Sequence, residues 1–399
     1  MDEKDRNRLI KRGVAEIIVE SEFVELLDTG KPLRLKIGFD PSAPDIHVGH
    51  AVPLRKLRQL QDLGHKVVLI VGDWTAQIGD PSGKSQTRPM LTQAEVMANA
   101  ETYMAQFFKI VDREKTETRF QSDWFGPFTL ADVIKLTSRF TVAQFLARED
   151  FSKRYKANQP IAITELLYPL LQAYDSIAVK SDVEFGGTDQ KFNILVGRDL
   201  QGMMGHRPQH CFLMPLLPGT DGVQKMSKSL NNYIGITEPA NDIYGKTMAL
   251  PDSMVLAYLE NVTDVPDDEL DEMKRATESQ TGDPMELKKR LARELVTQFH
   301  DADAAKTAEQ HFERTVQRRE TPEDIPAFEL STGAELNSKR LSDILVNAGL
   351  ASSSAEAKRL IDQGAVRVND EPVNANVAAS TLESGAVLRA GRRRFVRLV

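Results

Sequence analysis

The chain has 399 residues, 41% hydrophobic and 27% charged, with a net charge of −7; that length exceeds one ordinary domain and sets an expectation of two or three. No run of 18 apolar residues occurs, which excludes a helix built to cross a bilayer, and a single cysteine, Cys211, excludes an intrachain disulfide. Residues 338–399 carry ten Lys and Arg against six Asp and Glu, a net of +4 that leaves −11 for the rest, and a basic tail on an acidic body suits a polyanionic partner.

The first half alternates strand and helix signals. Leu33-Arg-Leu-Lys-Ile-Gly38 predicts a short strand, and a helix is expected from about His47 to Gly64. Lys66-Val-Val-Leu-Ile-Val-Gly72 is β-branched, apolar and short, as a buried parallel strand is. A helix follows from Thr92 to about Val111, opened by the capping box Thr92 and Glu95. Thr118–Ser122 is a strand candidate, helices fill about Leu130 to Ser176, and Val183–Gly186 is another strand. This β-α-β order predicts an α/β fold with a Rossmann-like parallel sheet. After about Glu238 the strand signals stop. Asn241 to Gln317 reads as helices, with Asp283-Pro284 as a cap. Arg319-Glu-Thr-Pro-Glu-Asp-Ile-Pro326 reads as a linker. In the tail, Leu341–Ala351 and Ser354–Ile361 read as two helices and Gly364–Val373 as strand, turn, strand. The expected division is 1–238 (α/β), 239–328 (α-helical) and 338–399 (a small α+β module).

Two short strings carry phosphate chemistry. Asp40-Pro-Ser-Ala-Pro-Asp-Ile-His47-Val-Gly-His50 follows a strand and opens a helix, where unpaired N–H groups and the helix dipole suit a phosphate. His47 and His50 share one face of that first turn, and Gly49 between them lets a flat ring approach the backbone. The same two histidines could bind a metal, but no third ligand is evident nearby. Lys225-Met-Ser-Lys-Ser229 follows the Gly-rich stretch Pro218–Gly222, and two lysines on a mobile loop can neutralise charge that builds on phosphate in a transition state. Taken singly, the first string reads as capping histidines and the second as solvated surface. A third constellation, Tyr168, Gln172 and Asp175, falls at i, i+4 and i+7 of a predicted helix and so shares a face. Alone it would read as an exposed polar stripe.

His-x-Gly-His early and Lys-Met-Ser-Lys-Ser late in one Rossmann-like domain resemble the signature of the class I aminoacyl-tRNA synthetases. Tyr168-x-x-x-Gln172-x-x-Asp175 resembles the amino-acid pocket of the tyrosyl members, and the resemblance covers essentially the whole chain: it implies a catalytic domain with a dimerisation insertion over 1–238, an anticodon-binding domain over 239–328, and the tail. It implies that Tyr168, Gln172 and Asp80 bind the substrate ammonium, that Asp175 binds the phenol, and that Gln190 lies at the amino-acid end. It implies an ATP site of Gly38, Asp40, His47, Gly49, His50, Gly187, Asp189, Met226 and Lys228, with His47, His50, Lys225, Lys228 and Ser229 as the catalytic set. In the best-known branch a tyrosine two residues before the Gly-Phe-Asp turn also touches the phenol. Here that position is Lys36, as in a second bacterial branch, and Lys36 is placed among the tyrosine contacts.

The tail resembles the S-four-type RNA-binding module, which meets RNA by shape and phosphate contact. Arg340, Lys358, Arg359 and Arg367, with Lys84 and Arg88 of the body, are the RNA-binding candidates. The partners implied are tRNA(Tyr), L-tyrosine and ATP with Mg2+, without a bound prosthetic group or a protein metal site. A homodimer is implied too, and Phe125–Phe151 is apolar enough to form its interface. The charged start, Met1-Asp-Glu-Lys-Asp-Arg6, has no apolar stretch behind it and does not read as a secretory signal, so a cytoplasmic protein is expected. Two rivals are a pantothenate-type synthetase, which has no use for an RNA-binding tail, and a non-catalytic RNA-binding protein, which has no use for intact histidines and lysines.

Overall fold

A computed structural model of the chain describes residues 3–41, 46–81, 91–317, 325–330, 339–391 and 394–399. The chain forms two compact units, Met1–Ala302 and Asp303–Val399; the division falls inside the helical stretch that follows Glu238.

Six strands build the sheet of the first unit: β1 (Glu16–Ile18), β2 (Arg34–Phe39), β3 (Lys66–Val71), β4 (Thr116–Phe120), β5 (Val183–Gly187) and β6 (His210–Met214). Their order is β1-β6-β5-β2-β3-β4. β2 to β6 are mutually parallel, and β1 closes one edge antiparallel to β6. The β-branched run of β3 is buried from Val67 to Val71 because helices cover both faces. The chain travels outward from β2 to β3 and β4, then crosses back to lay β5 and β6 on the other side of β2. Neighbouring β2 and β5 therefore send their connections in opposite directions, and a crevice opens beyond their carboxyl ends.

The expected Rossmann-like sheet is thus present. Two of its strands escaped the sequence reading. β1 has only three residues, too few for a period to register, and β6 is His-Cys-Phe-Leu-Met, without one β-branched residue. Cys211 in β6 is fully buried, and burial pushes its thiol up to about 12. From Ala240 onward the first unit is helical, and Asp283 caps the helix Pro284–Phe299 by accepting from Met285 N at 2.8 Å. No helix of the described residues is long and apolar enough to cross a membrane.

In the second unit, helices Leu341–Asn347 and Ser354–Asp362 pack on a five-stranded sheet ordered β7-β11-β10-β8-β9. Its strands are β7 (Ala327–Phe328), β8 (Val366–Val368), β9 (Glu371–Pro372), β10 (Val387–Ala390) and β11 (Arg394–Leu398). The helix pair and the β8–β9 hairpin match expectation, while β7, β10 and β11 extend it. Leu341, Leu345, Ile361, Val366, Leu388 and Leu398 form a fully enclosed apolar core within this unit, so its 97 residues carry their own means of folding.

Candidate active site

The crevice at the carboxyl ends of β2 and β5 collects most of the residues singled out in the sequence. β2 delivers Asp40, and β3 delivers Gly72 and Asp73. A Cβ on Gly72 would sit 2.3 Å from Asp40 Oδ1 and 2.4 Å from Thr75 Oγ1, so only glycine lets that carboxylate settle there. Thr75 Oγ1 donates to Asp40 Oδ1 at 2.6 Å, and Tyr168 OH donates to Asp40 Oδ2 at 2.7 Å. Burial and the nearby carboxylates of Asp40 and Asp80 hold the Tyr168 phenol protonated far above its ordinary range. It is therefore a fixed donor bridging the helix Ile163–Ala178 to the end of β2. Across the crevice, Gln190 Nε2 donates to Asp80 Oδ2 at 2.7 Å, and Asn193 Nδ2 donates to Gln190 Oε1 at 3.2 Å.

Asp175 lies deeper on the same helix and is 3% exposed. Gln121 Nε2 donates to both its oxygens, at 2.9 and 3.1 Å, and Trp124 Nε1 donates to Oδ1 at 3.2 Å. Gln121 is itself oriented by Thr75, whose N–H donates to Gln121 Oε1 at 2.9 Å. Even so, burial raises the Asp175 carboxyl to about 7, with Lys36 and the two donors opposing the rise. A buried carboxylate with lone-pair capacity beyond its present donors can accept from a hydroxyl.

The two signature strings meet in space. Val48 N donates to Ile234 O at 2.9 Å and Ile236 N donates to Ile46 O at 3.2 Å, tying the start of the helix Val48–Asp62 to the chain just beyond the lysine loop. Met226, 2% exposed, reaches Gly49, whose N–H points at the sulfur at 3.4 Å. A Cβ on Gly49 would lie 3.0 Å from the His47 ring. His47 and His50 stack with ring centroids 3.8 Å apart. His47 N donates to His50 Nδ1 at 3.3 Å, which leaves the His50 proton on Nε2. Burial, then Lys225 and Lys228, pull His47 down to about 3; burial, His47 and the same lysines hold His50 well below its usual range. Both rings are thus neutral donors at physiological pH. The lysine loop is anchored at its base by Asn232, which accepts from Ser227 N at 2.8 Å and donates to Asp221 Oδ2 at 2.7 Å. Lys225 forms an ion pair with Asp189, and Lys228 lies 5.9 Å from the centre of the Tyr233 ring.

The structure therefore brings together Asp40 with Tyr168, Asp80 with Gln190, Asp189 with Lys225, and His47, Gly49 and His50 with Met226. Gly38 is exposed at the end of β2, and Gly187 sits where β5 turns into the Thr188–Gln190 helical turn. Gln172 turns its amide to Glu184 Oε1 at 3.1 Å. Lys36, expected among the tyrosine contacts, is wholly buried; it donates to Gln172 O and Ser176 Oγ and pairs with Glu184. Lys84, Arg88 and the Ser229 side chain lie outside the described residues. Arg340, Lys358, Arg359 and Arg367 are all exposed on the second unit. Sequence reading missed Gln121, Trp124, Thr75, Asn193 and Asn232, since isolated amides and an indole carry no motif; only the fold gathers them. Among the described residues no group of three or more His, Cys, Asp or Glu could hold a metal ion.

Residues 28–317 match the family of class I tRNA synthetases (W and Y), and residues 339–379 match the S4 domain. A tyrosine–tRNA ligase of Dehalococcoides mccartyi strain CBDB1 is 57% identical, covering 100% of this chain and 99% of its own length. One from Moorella thermoacetica is 50% identical, over 98% and 95%. Among solved structures, the tyrosyl-tRNA synthetase of Archaeoglobus fulgidus complexed with L-tyrosine superposes with a TM-score of 0.64 at 24% identity. It covers 76% of this chain and 99% of that one, a likeness of fold.

Proposed function

The chain belongs to the tyrosine–tRNA ligases of the class I tRNA synthetases, and from that premise we propose how its residues divide the work. The activity is ATP-dependent activation of L-tyrosine followed by transfer of tyrosine to the 3′ end of tRNA(Tyr). In the first step a tyrosine carboxylate oxygen attacks the α-phosphorus of ATP. A new P–O bond forms as the bond to the bridging oxygen breaks, and pyrophosphate leaves with its electron pair. In the second, a terminal ribose hydroxyl of the tRNA attacks the acyl carbon and AMP leaves. No protein nucleophile enters, so catalysis consists of positioning and charge stabilisation.

The observation that carries the assignment is Asp175: a buried carboxylate with hydrogen-bonding capacity to spare, in the same unit as the neutral histidines and loop lysines. Asp175 takes the phenol proton in a hydrogen bond. Tyr168, Gln172, Asp80 and Gln190 line the ammonium end. Gly38, Asp40, Gly49, Gly187, Asp189 and Met226 hold the nucleotide. His47, His50, Lys225, Lys228 and Ser229 stabilise the leaving pyrophosphate, and Mg2+ arrives with ATP. The second unit, with Arg340, Lys358, Arg359 and Arg367, engages the tRNA, aided by Lys84 and Arg88. A division into 1–238, 239–328 and 338–399 and a cytoplasmic site of action belong to the same reading.

Leu130, Ile134, Val142, Tyr155 and Ile163 are large apolar side chains that stand 58–79% exposed in one stretch of the first unit, which supports a second copy of the chain as their cover. Sedimentation of the intact protein as a monomer at micromolar concentration would remove that part. Pyrophosphate exchange with each of the twenty amino acids tests the substrate assignment: tyrosine alone supports exchange, and a response to another amino acid equal to that with tyrosine overturns the role of Asp175.

A further inference from the structure

Lys36 stands in the middle of β2 with no surface exposed. A protonated amine offers three N–H donors and no acceptor. Two of them go to Gln172 O and Ser176 Oγ, each at 2.8 Å, and the charge pairs with Glu184 Oε1 at 3.0 Å. With no surface exposed, the amine is enclosed by these three partners. Glu184, on the adjoining strand β5 and 1% exposed, uses the same Oε1 to accept from Gln172 Nε2 at 3.1 Å; its other oxygen accepts from Ser176 Oγ at 3.1 Å and from Gln209 Nε2.

The pair therefore grips Gln172 twice, by its carbonyl through Lys36 and by its amide through Glu184. It also grips Ser176, the residue after Asp175. Gln172 belongs to the ammonium end, so displacing the pair displaces that end, while the Asp175 carboxylate keeps its own donors, Gln121 and Trp124. Two opposite charges buried together are costly to desolvate, and apolar residues would join helix to sheet at least as well. Packing alone does not account for the choice. Resting on the assignment of Gln172 and Asp175 to tyrosine, we propose that Lys36 and Glu184 are positioning residues, which align Gln172 and balance the charge around Asp175 without touching the substrate.

The groups that face Asp175 are few. Lys36 from β2 favours its ionised form and Glu184 from β5 opposes it. Gln121 and Trp124 contribute neutral donors. Tyr168, on its own helix, is held protonated, with Asp40 and Asp80 beyond it. Removing Lys36 leaves two carboxylates facing each other, so the Asp175 proton should be held to higher pH. Removing the Glu184 charge should release it at lower pH.

The test uses the full chain, its K36M, E184Q and K36M/E184Q variants, and pyrophosphate exchange with tyrosine and with phenylalanine between pH 6 and 8.5. K36M should raise the tyrosine KM by roughly tenfold with the ATP KM unchanged, and move the acid limb of kcat/KM to higher pH. E184Q should move that limb to lower pH. The double variant should return the limb to its parental position while the tyrosine KM stays raised. At pH 8.5 the tyrosine/phenylalanine ratio should match the parent's throughout. A collapse of that ratio in K36M or the double variant shows direct phenol contact and overturns the proposal, as do acid limbs that stay in place in both single variants. Should the single variants fail to fold, the double variant decides, because it buries no lone charge: a parental tyrosine KM overturns the proposal. If D175A and Q172A themselves leave tyrosine KM and selectivity intact, the pocket assignment fails instead.

Discussion

Asp175 is useful to a phenol only when ionised, and its carboxyl is raised to about 7 by burial. Tyrosine kcat/KM should therefore climb as pH rises through about 7. The linkage to folding has the opposite sign. A carboxyl whose folded pKa is raised binds its proton more tightly in the folded chain, so its stabilising contribution is lost as pH rises from the ordinary carboxylate range through about 7. Asp175→Asn should accordingly melt above the parent at pH 8, with the gap closing toward pH 4, while losing tyrosine selectivity. Asp175→Ala should narrow the tyrosine/phenylalanine ratio by about ten- to a hundredfold, since a hydrogen bond to a charged group contributes roughly 1.5–3 kcal/mol. An unchanged ratio in pyrophosphate exchange would sink the assignment. At the same scale, His50 keeps a neutral ring with its proton on Nε2, so it serves as a dipolar donor. His50→Ala and Lys228→Ala should each lower the activation rate, by roughly 10²–10³-fold where one donor to developing charge is lost, with tyrosine KM little changed. Loss of tyrosine binding at an unaffected rate contradicts both.

At the scale of elements, what was legible in the sequence is what repeats or is local. The β3 run, the capping box Thr92–Glu95 and the Asp283-Pro284 cap each declare themselves within a few residues, and each is present. The histidine and lysine strings were legible for the same reason. Gln121, Trp124, Thr75, Asn193 and Asn232 were not, because their meaning depends on which elements lie side by side. Gln121 follows β4 yet orients a carboxylate on the helix Ile163–Ala178, 54 residues on. Lys36 was read through its place in a motif, while its partner Glu184 lies on β5, and strand order alone decides that they meet. Short edge strands fail for another reason: β1 is held by its register on β6, Glu16 opposite Leu213, and not by propensity of its own.

For the whole molecule, the residues proposed for activation lie in the first unit, while the proposed tRNA contacts are divided: Lys84 and Arg88 in the first unit's span, Arg340, Lys358, Arg359 and Arg367 in the second. Every residue assigned to ATP or tyrosine precedes Leu230, and the second unit encloses its own core. A chain ending at Pro326, before β7, should keep tyrosine-dependent pyrophosphate exchange and lose most tRNA charging. Four lost phosphate contacts should also flatten the log–log dependence of tRNA affinity on salt by about 3. Full charging by the shortened chain assigns the tail another role.

The buried thiol of Cys211 has a practical corollary. With its pKa pushed to about 12 and no surface exposed, it has almost no thiolate at neutral pH and no path to a reagent. The native protein is accordingly a blank background for maleimide chemistry: one cysteine placed at an exposed serine such as Ser352 would accept one fluorophore, at that point only. A dye on Ser352→Cys then reports tRNA arriving at the second unit in real time, while tyrosine and ATP, bound in the first, leave its signal flat.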